Sequence, residues 1–229
     1  MFLYYITDRK QLSHNDEDAR RMLLDRIQVA AEAGIDAIQI REKDLSARDL
    51  AELGTRAVEI VRRANASTRL LINSRSDVAI ACGADGVHLR ADDISPADAR
   101  SVFMHAGIAR PLIGISCHNP SEIELAEGQG ADFAVFGSVF EKSGQLAPAG
   151  LAALRDVCRH RRTAKPAMPV LALGGVNAAN AAECIEAGAG GIAGIRLFQS
   201  GRVGDAISRL RSLEVKGEIA SIGEIIRER

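Results

Sequence analysis

Apolar and polar positions alternate along this chain in two registers. Short runs rich in Ile, Val, Leu and Phe occupy 2–7, 37–41, 69–73, 86–90, 111–116, 133–139, 169–174 and 191–197. They are continuous rather than alternating, the pattern of parallel strands buried on both faces. Between them lie stretches such as 46–63 and 119–128, with apolar residues at helical spacing. Ser46, Ser95, Asn119 and Asn177 stand where helix N-caps are expected, because their side chains can accept from free backbone N–H groups.

An internal echo reinforces the pattern. EAGIDAIQI (32–40), ACGADGVHL (81–89), GQGADFAVF (128–136) and EAGAGGIAGI (186–195) share one layout: a helix ends at glycine and a strand begins two or three residues later. Gly34, Gly83, Gly130 and Gly188 suit the left-handed position that closes a helix. Eight strand–helix units within residues 1–213 predict an α/β fold of the (β/α)8 TIM-barrel class in a single domain. An open doubly wound sheet is the alternative. Residues 214–229 lie outside the eight units and are expected to form a short C-terminal extension.

Composition narrows the function classes. The 229 residues carry 29 Lys+Arg against 30 Asp+Glu, a net charge of -1, which argues against electrostatic binding of nucleic acid. Hydrophobic residues make up 47%, so disorder is not the dominant state. No uncharged apolar stretch approaches the ~20 residues of a membrane helix, and the opening MFLYYITDRK has no secretory leader pattern. Cys82, Cys117, Cys158 and Cys184 form no CxxC pair, which suits a reducing, cytoplasmic compartment. The expected partners are small phosphorylated molecules, with neither nucleic acid nor membrane, and a homodimer is admitted as the assembly.

In a barrel of this kind, chemistry sits at the carboxyl ends of the strands. Here those ends are polar almost throughout: Thr7-Asp8-Arg9, Gln39 with Arg41-Glu42-Lys43-Asp44, Asn73-Ser74-Arg75, and His88 with Arg90, Asp92 and Asp93. Ser116-Cys117-His118, Ser138, Gly174-Gly175 and Arg196 continue the series. A bare scaffold does not need them, so an enzyme is expected. Arg41 and Lys43 are two apart, face one side of an extended segment and could hold a diphosphate. Gly174-Gly175, ahead of a helix expected at Asn177, allow close backbone approach to a phosphate. Asn73 and Asp93 could supply oxygens to Mg2+, with helix capping as the other reading of Asp92 and Asp93. His88 reads as a hydrogen-bonded core residue, whereas His118, just past a strand end, reads equally as a functional group or as helix entry. Cys117 has no activating neighbour and is not read as a nucleophile. GAGGIAG (188–194) precedes a strand rather than opening a helix, which excludes a dinucleotide fingerprint.

Taken in order, ITDR (6–9), QIREK (39–43), LIN-x-R-x-DVA (71–79), GADGVHL (83–89), IGISCHNPSE (113–122), VFGSVFE (135–141) and ALGGVN (172–177) resemble the thiamine phosphate synthase/thiazole tautomerase (TenI) superfamily over about residues 3–198. The resemblance implies a transferase of thiamine biosynthesis that couples hydroxymethylpyrimidine diphosphate to thiazole phosphate and releases pyrophosphate, using Mg2+. It implies that Arg41 and Lys43 hold the diphosphate, with Asn73 positioning it and Asp93 on the metal. Ser116 would act at the pyrimidine, with Gln39 nearby. Gly174, Gly175, Ile195 and Arg196 would face the thiazole phosphate, and His118 and Ser138 complete the expected substrate-binding set. Arg41, Lys43 and Ser116 are the expected catalytic residues. Three features depart from the resembled patterns. Ser74 stands where the synthase has Asp, 141–150 lacks its Thr-rich Lys-Lys-Asp loop, and Ser138 stands where the tautomerase has its His. The alternatives are therefore an isomerase of the thiazole carboxylate phosphate and a non-catalytic binder of thiazole or thiamine phosphate that regulates the pathway.

Overall fold

The computed structural model describes residues 1–140, 149–160 and 167–213. The strands are β1 (Phe2–Ile6), β2 (Ala37–Ile40), β3 (Arg69–Asn73), β4 (Gly86–Leu89), β5 (Leu112–Cys117), β6 (Phe133–Gly137), β7 (Val170–Leu173) and β8 (Gly191–Gly194). The α-helices are α1 (Asp16–Glu32), α2 (Ala47–Ala64), α3 (Ser76–Cys82), α4 (Pro96–His105), α5 (Pro120–Gly128), α6 (Gly150–His160), α7 (Ala181–Glu186), α8 (Arg196–Gln199) and α9 (Val203–Arg211). All the strand pairings are parallel, and the sheet closes in chain order, β8 returning to β1 through Phe2↔Gly191 and Tyr4↔Ala193. That closing pair makes the architecture a (β/α)8 barrel and excludes the open sheet. The expected extension at 214–229 lies outside the described residues.

Successive strand residues point to opposite faces and so build two cores. Phe2, Tyr4, Leu71, Phe133, Val135 and Leu171 fill the barrel interior, with Tyr4 set edge-on to Phe133 at 5.1 Å. Leu3, Tyr5, Ile38, Ile40 and Ile72 face outward against helix residues such as Leu23, Ile27 and Leu53. The interior stripe runs upward into the residues that form the barrel mouth, so packing below positions chemistry above.

The echoed helix-to-strand passages have a physical basis at the opposite end. Gly34, Gly83, Gly130 and Gly188 all hold left-handed backbone. In three of the four passages an Asp follows two residues later. Asp36, Asp85 and Asp132 accept the backbone N–H of Leu3, Leu70 and Ile113, each at 2.7 Å. Each also pairs with an arginine: Arg211, Arg69 and Arg100 respectively. These carboxylates stitch neighbouring strands at the amino-terminal end of the barrel, the end that serves stability rather than catalysis.

Three local expectations are corrected. Ser46, Ser95 and Asn119 cap their helices, accepting from Asp49, Asp98 and Glu122 N–H, but Asn177 does not. Its Oδ1 accepts from Ala179 N–H in a turn, and α7 starts at Ala181 behind Asn180. The eighth strand stops at Gly194, so Arg196 opens α8 instead of lying on a strand. The chain folds back over Gly194, where a Cβ would sit 2.9 Å from that of Leu197, and Phe198 is buried beside Tyr5. The sixth strand stops at Gly137, leaving Ser138 beyond the alternating register.

Candidate active site

A cavity of about 1240 Å³ opens at the carboxyl ends of the strands. Gln39, Asn73 and Ser116 line it from β2, β3 and β5, and Arg41, Lys43 and Arg90 stand at its rim. Each follows from strand alternation: Gln39 and Arg41 continue the inward stripe of Ala37, Asn73 that of Leu71, and Arg90 that of His88. Gln39 Nε2 donates to Asn73 Oδ1 at 2.9 Å, and Asn73 Nδ2 donates to Ser74 Oγ at 2.9 Å. Gln39 Oε1 is buried and has no hydrogen-bond partner among the described residues. An unpaired buried acceptor costs about 1–3 kcal/mol, so this atom is ready for a ligand donor.

His88 is buried on β4, with Nε2 3.0 Å from Ser116 Oγ. Burial pushes its imidazole down to about 3; the Arg41 charge adds to that, and Asp93 opposes it. The ring is therefore neutral near pH 7. Nδ1 has no partner among the described residues. Orphaned buried N–H groups are rarer than orphaned acceptors, which places the proton on Nε2 and makes His88 the donor to Ser116. The Ser116 hydroxyl hydrogen is then available to a ligand acceptor.

Three cations meet at the β2–β4 side. Lys43 is held below the ordinary lysine value by the Arg41 charge first, then by burial and by Arg90. Like charges gathered in this way could be offset by a polyanion bound at the rim. Arg90 is anchored by carboxylates: Asp93 Oδ1 accepts from its Nε at 3.3 Å and Asp92 Oδ2 from its Nη2 at 3.0 Å, while Asp93 Oδ2 caps its backbone N–H at 2.8 Å.

The opposite side is built from backbone. Gly174, Gly175, Gly194 and Ile195 line the cavity from β7 and β8. Gly174 (φ +98) and Gly175 (φ +66) hold conformations that other residues rarely adopt. A Cβ on Gly174 would lie 2.1 Å from Ser138 Oγ. The Gly175 carbonyl is held by Asn180 Nδ2 at 3.1 Å, which fixes the peptide at the rim. The short helix α8 begins at Arg196 beside this wall, its Phe198 and Gln199 N–H groups both donating to the Ile195 carbonyl, at 3.1 and 3.0 Å.

The structure brings most of the expected site residues to one cavity. Gln39, Arg41, Lys43, Asn73, Ser116, His118, Gly174, Gly175, Ile195 and Arg196 all line it. Two do not. Ser138 packs beneath Gly174, its hydroxyl donating to the Phe140 carbonyl at 3.2 Å. Asp93 lines a smaller adjoining pocket of about 160 Å³ and is committed to Arg90. Arg90, to which the sequence pattern assigns no role, lines the main cavity as well, its position two residues beyond His88 marking it as inward-facing. Among the described residues no three His, Cys, Asp or Glu side chains converge as a metal cage. The carboxylates beside the cationic rim are Asp92 and Asp93, both paired with Arg90, so Mg2+ of the kind bound by one or two carboxylates together with substrate phosphates would share them with that arginine. Residues 141–148, where a departure from the resembled synthase pattern is expected, lie outside the described residues.

Residues 3–198 match the family model described as thiamine monophosphate synthase. The chain belongs to the thiamine monophosphate synthase family. It is 41% identical over 155 residues to a putative thiamine-phosphate synthase of Geobacter sulfurreducens, covering 66% of this chain and 67% of that protein. It is 38% identical over 155 residues to the thiamine-phosphate synthase of Solidesulfovibrio magneticus, covering 66% and 68%. The solved thiamine phosphate pyrophosphorylase from Pyrococcus furiosus superposes with a TM-score of 0.75 at 30% identity, covering 98% of this chain and 96% of that one. The family resemblance of the motifs therefore extends to the fold of the whole barrel. No helix among the described residues is long and apolar enough to cross a membrane.

Proposed function

We propose that this protein is a thiamine phosphate synthase: a transferase joining hydroxymethylpyrimidine diphosphate to thiazole phosphate with release of pyrophosphate. The observation that carries the reading is one cavity with two unlike anion sites, three cations on the β2–β4 side and paired glycines on the β7–β8 side. Its volume of about 1240 Å³ lies above the usual 300–1,000 Å³ of a ligand pocket, which leaves room for two substrates. Arg41, Lys43 and Arg90 hold the diphosphate, and their fixed charge offsets the negative charge that grows as the C–O bond to it breaks. Gln39 Oε1 accepts from the pyrimidine amino group, and Ser116 donates to a ring nitrogen. The thiazole phosphate lies at Gly175 and Ile195, presenting the thiazole nitrogen to the electron-poor carbon left behind. Asp93, with Asp92, would hold Mg2+, which supplies further neutralisation of the diphosphate.

The test is product formation from the two substrates with saturating Mg2+, following pyrophosphate and thiamine phosphate together. Equimolar appearance of both is expected, and absence of both overturns the reading. A second reading, isomerisation of the thiazole carboxylate phosphate, draws support from His118. Its Nδ1 donates to the carbonyl of Gly137, the residue before Ser138, at 3.0 Å, and its side chain lines the cavity. Metal-independent isomerisation, lost in His118→Asn, would favour that reading.

A further inference from the structure

Behind the cationic rim lies a buried ion network that the reaction above does not use directly. Arg9 is 3% exposed and Glu42 4%, and such residues are almost never buried without partners. Arg9 Nη1 donates to Glu42 Oε2 at 3.1 Å and to Asp44 Oδ1 at 2.8 Å, Nη2 to Asp44 Oδ2 at 2.8 Å, and Nε to Asp16 Oδ1 at 2.9 Å. The Arg9 backbone N–H also meets the Glu42 carboxylate, at 3.1 and 3.2 Å. Thr7 Oγ1 donates to Glu42 Oε1 at 2.6 Å and accepts the Arg41 N–H at 2.9 Å. The chain between 41 and 44 is thus tied at a backbone atom and at two side chains.

The alternation of that segment gives the tie its consequence. Glu42 and Asp44 are hooked to Arg9, while Arg41 and Lys43 line the cavity. Arg41, Lys43 and Arg90 repel one another, and an untied loop would relax by swinging its cations into water. We propose that Arg9 is a positioning residue: its fork on Glu42 and Asp44 holds Arg41 and Lys43 at the rim before any ligand arrives. The cost of gathering like charge is then met on folding, so that little reorganisation is left for the bond-breaking step. The planar guanidinium suits this task because it grips two carboxylates at once, which an ammonium does not.

This inference rests on the reading of the β2–β4 rim as the diphosphate site. The test uses inorganic pyrophosphate as its probe. Calorimetric affinities for pyrophosphate and, separately, for thiazole phosphate would be measured on the unmodified protein, on Arg9→Lys and on the neutral pair Arg9→Met/Glu42→Gln, which leaves no buried charge unpaired. Pyrophosphate affinity in the neutral pair should fall roughly tenfold, less than the hundredfold or more in rate that losing a transition-state contact costs, with thiazole phosphate affinity unchanged. Arg9→Lys should lie between the two. In turnover, kcat should fall while KM for thiazole phosphate holds. Pyrophosphate affinity within twofold of the unmodified protein, or an equal loss for both ligands, overturns the inference. If the neutral pair does not fold, Asp44→Asn removes one exposed hook. It should weaken pyrophosphate about threefold, and no change would overturn the inference. An unmodified protein that binds pyrophosphate but makes no product sinks the synthase reading and leaves the role of Arg9 standing. One that binds no pyrophosphate sinks both.

Discussion

In the proposed reading the two sides of the barrel mouth hold phosphate by different means. On the β2–β4 side charge is supplied by Arg41, Lys43 and Arg90, with Gln39, Asn73 and Ser116 below them. On the β7–β8 side the donors are peptide groups exposed by glycine, and the interior is lined by Leu173, Ala193 and Ile195. Side-chain charge suits a group that must leave with growing negative charge, because its attraction strengthens along the reaction. A backbone cradle suits a group that is held and left unchanged. The comparison therefore predicts separable effects on the two sides.

The largest effect belongs to the charged side. Lys43→Ala should slow pyrophosphate release by roughly a hundredfold, the cost of losing one preorganised charge in a transition state. Thiazole phosphate affinity should barely move. Steady-state kinetics and calorimetry on the same preparation check both statements, and a parallel loss of thiazole phosphate binding would collapse the distinction between the sides.

The charged side should also be the more sensitive to acid. His88 is held neutral, near 3 against an ordinary 6.5, so between those values the unfolded chain takes up a proton that the native chain refuses. Its contribution is complete above pH 6.5 and is lost progressively as pH falls towards 3. At pH 5 the loss is about 2 kcal/mol, from 1.36 kcal/mol per pH unit. Urea unfolding at pH 7.5 and pH 5 measures it, and His88→Gln, which keeps a donor for Ser116 without titrating, should shrink the drop by about that amount. An undiminished drop would place the acid sensitivity elsewhere.

The reciprocal variant is milder. Gly175→Val forces a β-branched residue into φ +66 and crowds the cradle, which should weaken thiazole phosphate roughly tenfold while leaving inorganic pyrophosphate binding nearly intact. Equal weakening of both ligands would mean that the two sites are mechanically coupled through the barrel.

How much of this was legible from sequence follows from where each side chain sits. Gln39, Asn73, His88 and Ser116 lie on strands, where alternation dictates direction, and the cavity contains them or, for His88, its bonded partner. Beyond a strand end that rule is no longer binding: it still serves Arg41 and Arg90, which line the cavity, but not every residue past a strand. Ser138 and Asp93 looked equivalent to them, yet β6 ends at Gly137 and β4 at Leu89, and local contacts turn both side chains elsewhere. Arg9 was the least legible residue. The sequence places it among the polar strand ends without a role, and only the approach of Glu42 and Asp44 from a segment more than thirty residues away buries it. Asn177 failed for a related reason. An Asn soon after a glycine pair resembles a cap, but here it lies in a turn four residues ahead of Ala181, where α7 begins.

The smallest effect concerns the metal and tests whether the charged side is complete. Ser74 stands at φ +60, a backbone conformation that Asp tolerates better than most residues, and its N–H is held by the His88 carbonyl at 2.8 Å. Its hydroxyl accepts from Asn73 Nδ2, an interaction that a carboxylate oxygen can keep. Ser74→Asp should therefore fold normally and place a second hard oxygen donor beside the diphosphate site. Mg2+ affinity rises with ligand charge, and the ion uses one or two carboxylates in such sites. The concentration of Mg2+ giving half-maximal pyrophosphate release should then fall about three- to tenfold, with little change in the rate at saturation. Titrating Mg2+ against turnover for both proteins decides it. An unchanged midpoint would mean that the ion, if used, is held away from Asn73 and Ser74. The carboxylates of the Arg90 turn would then be its sole protein ligands.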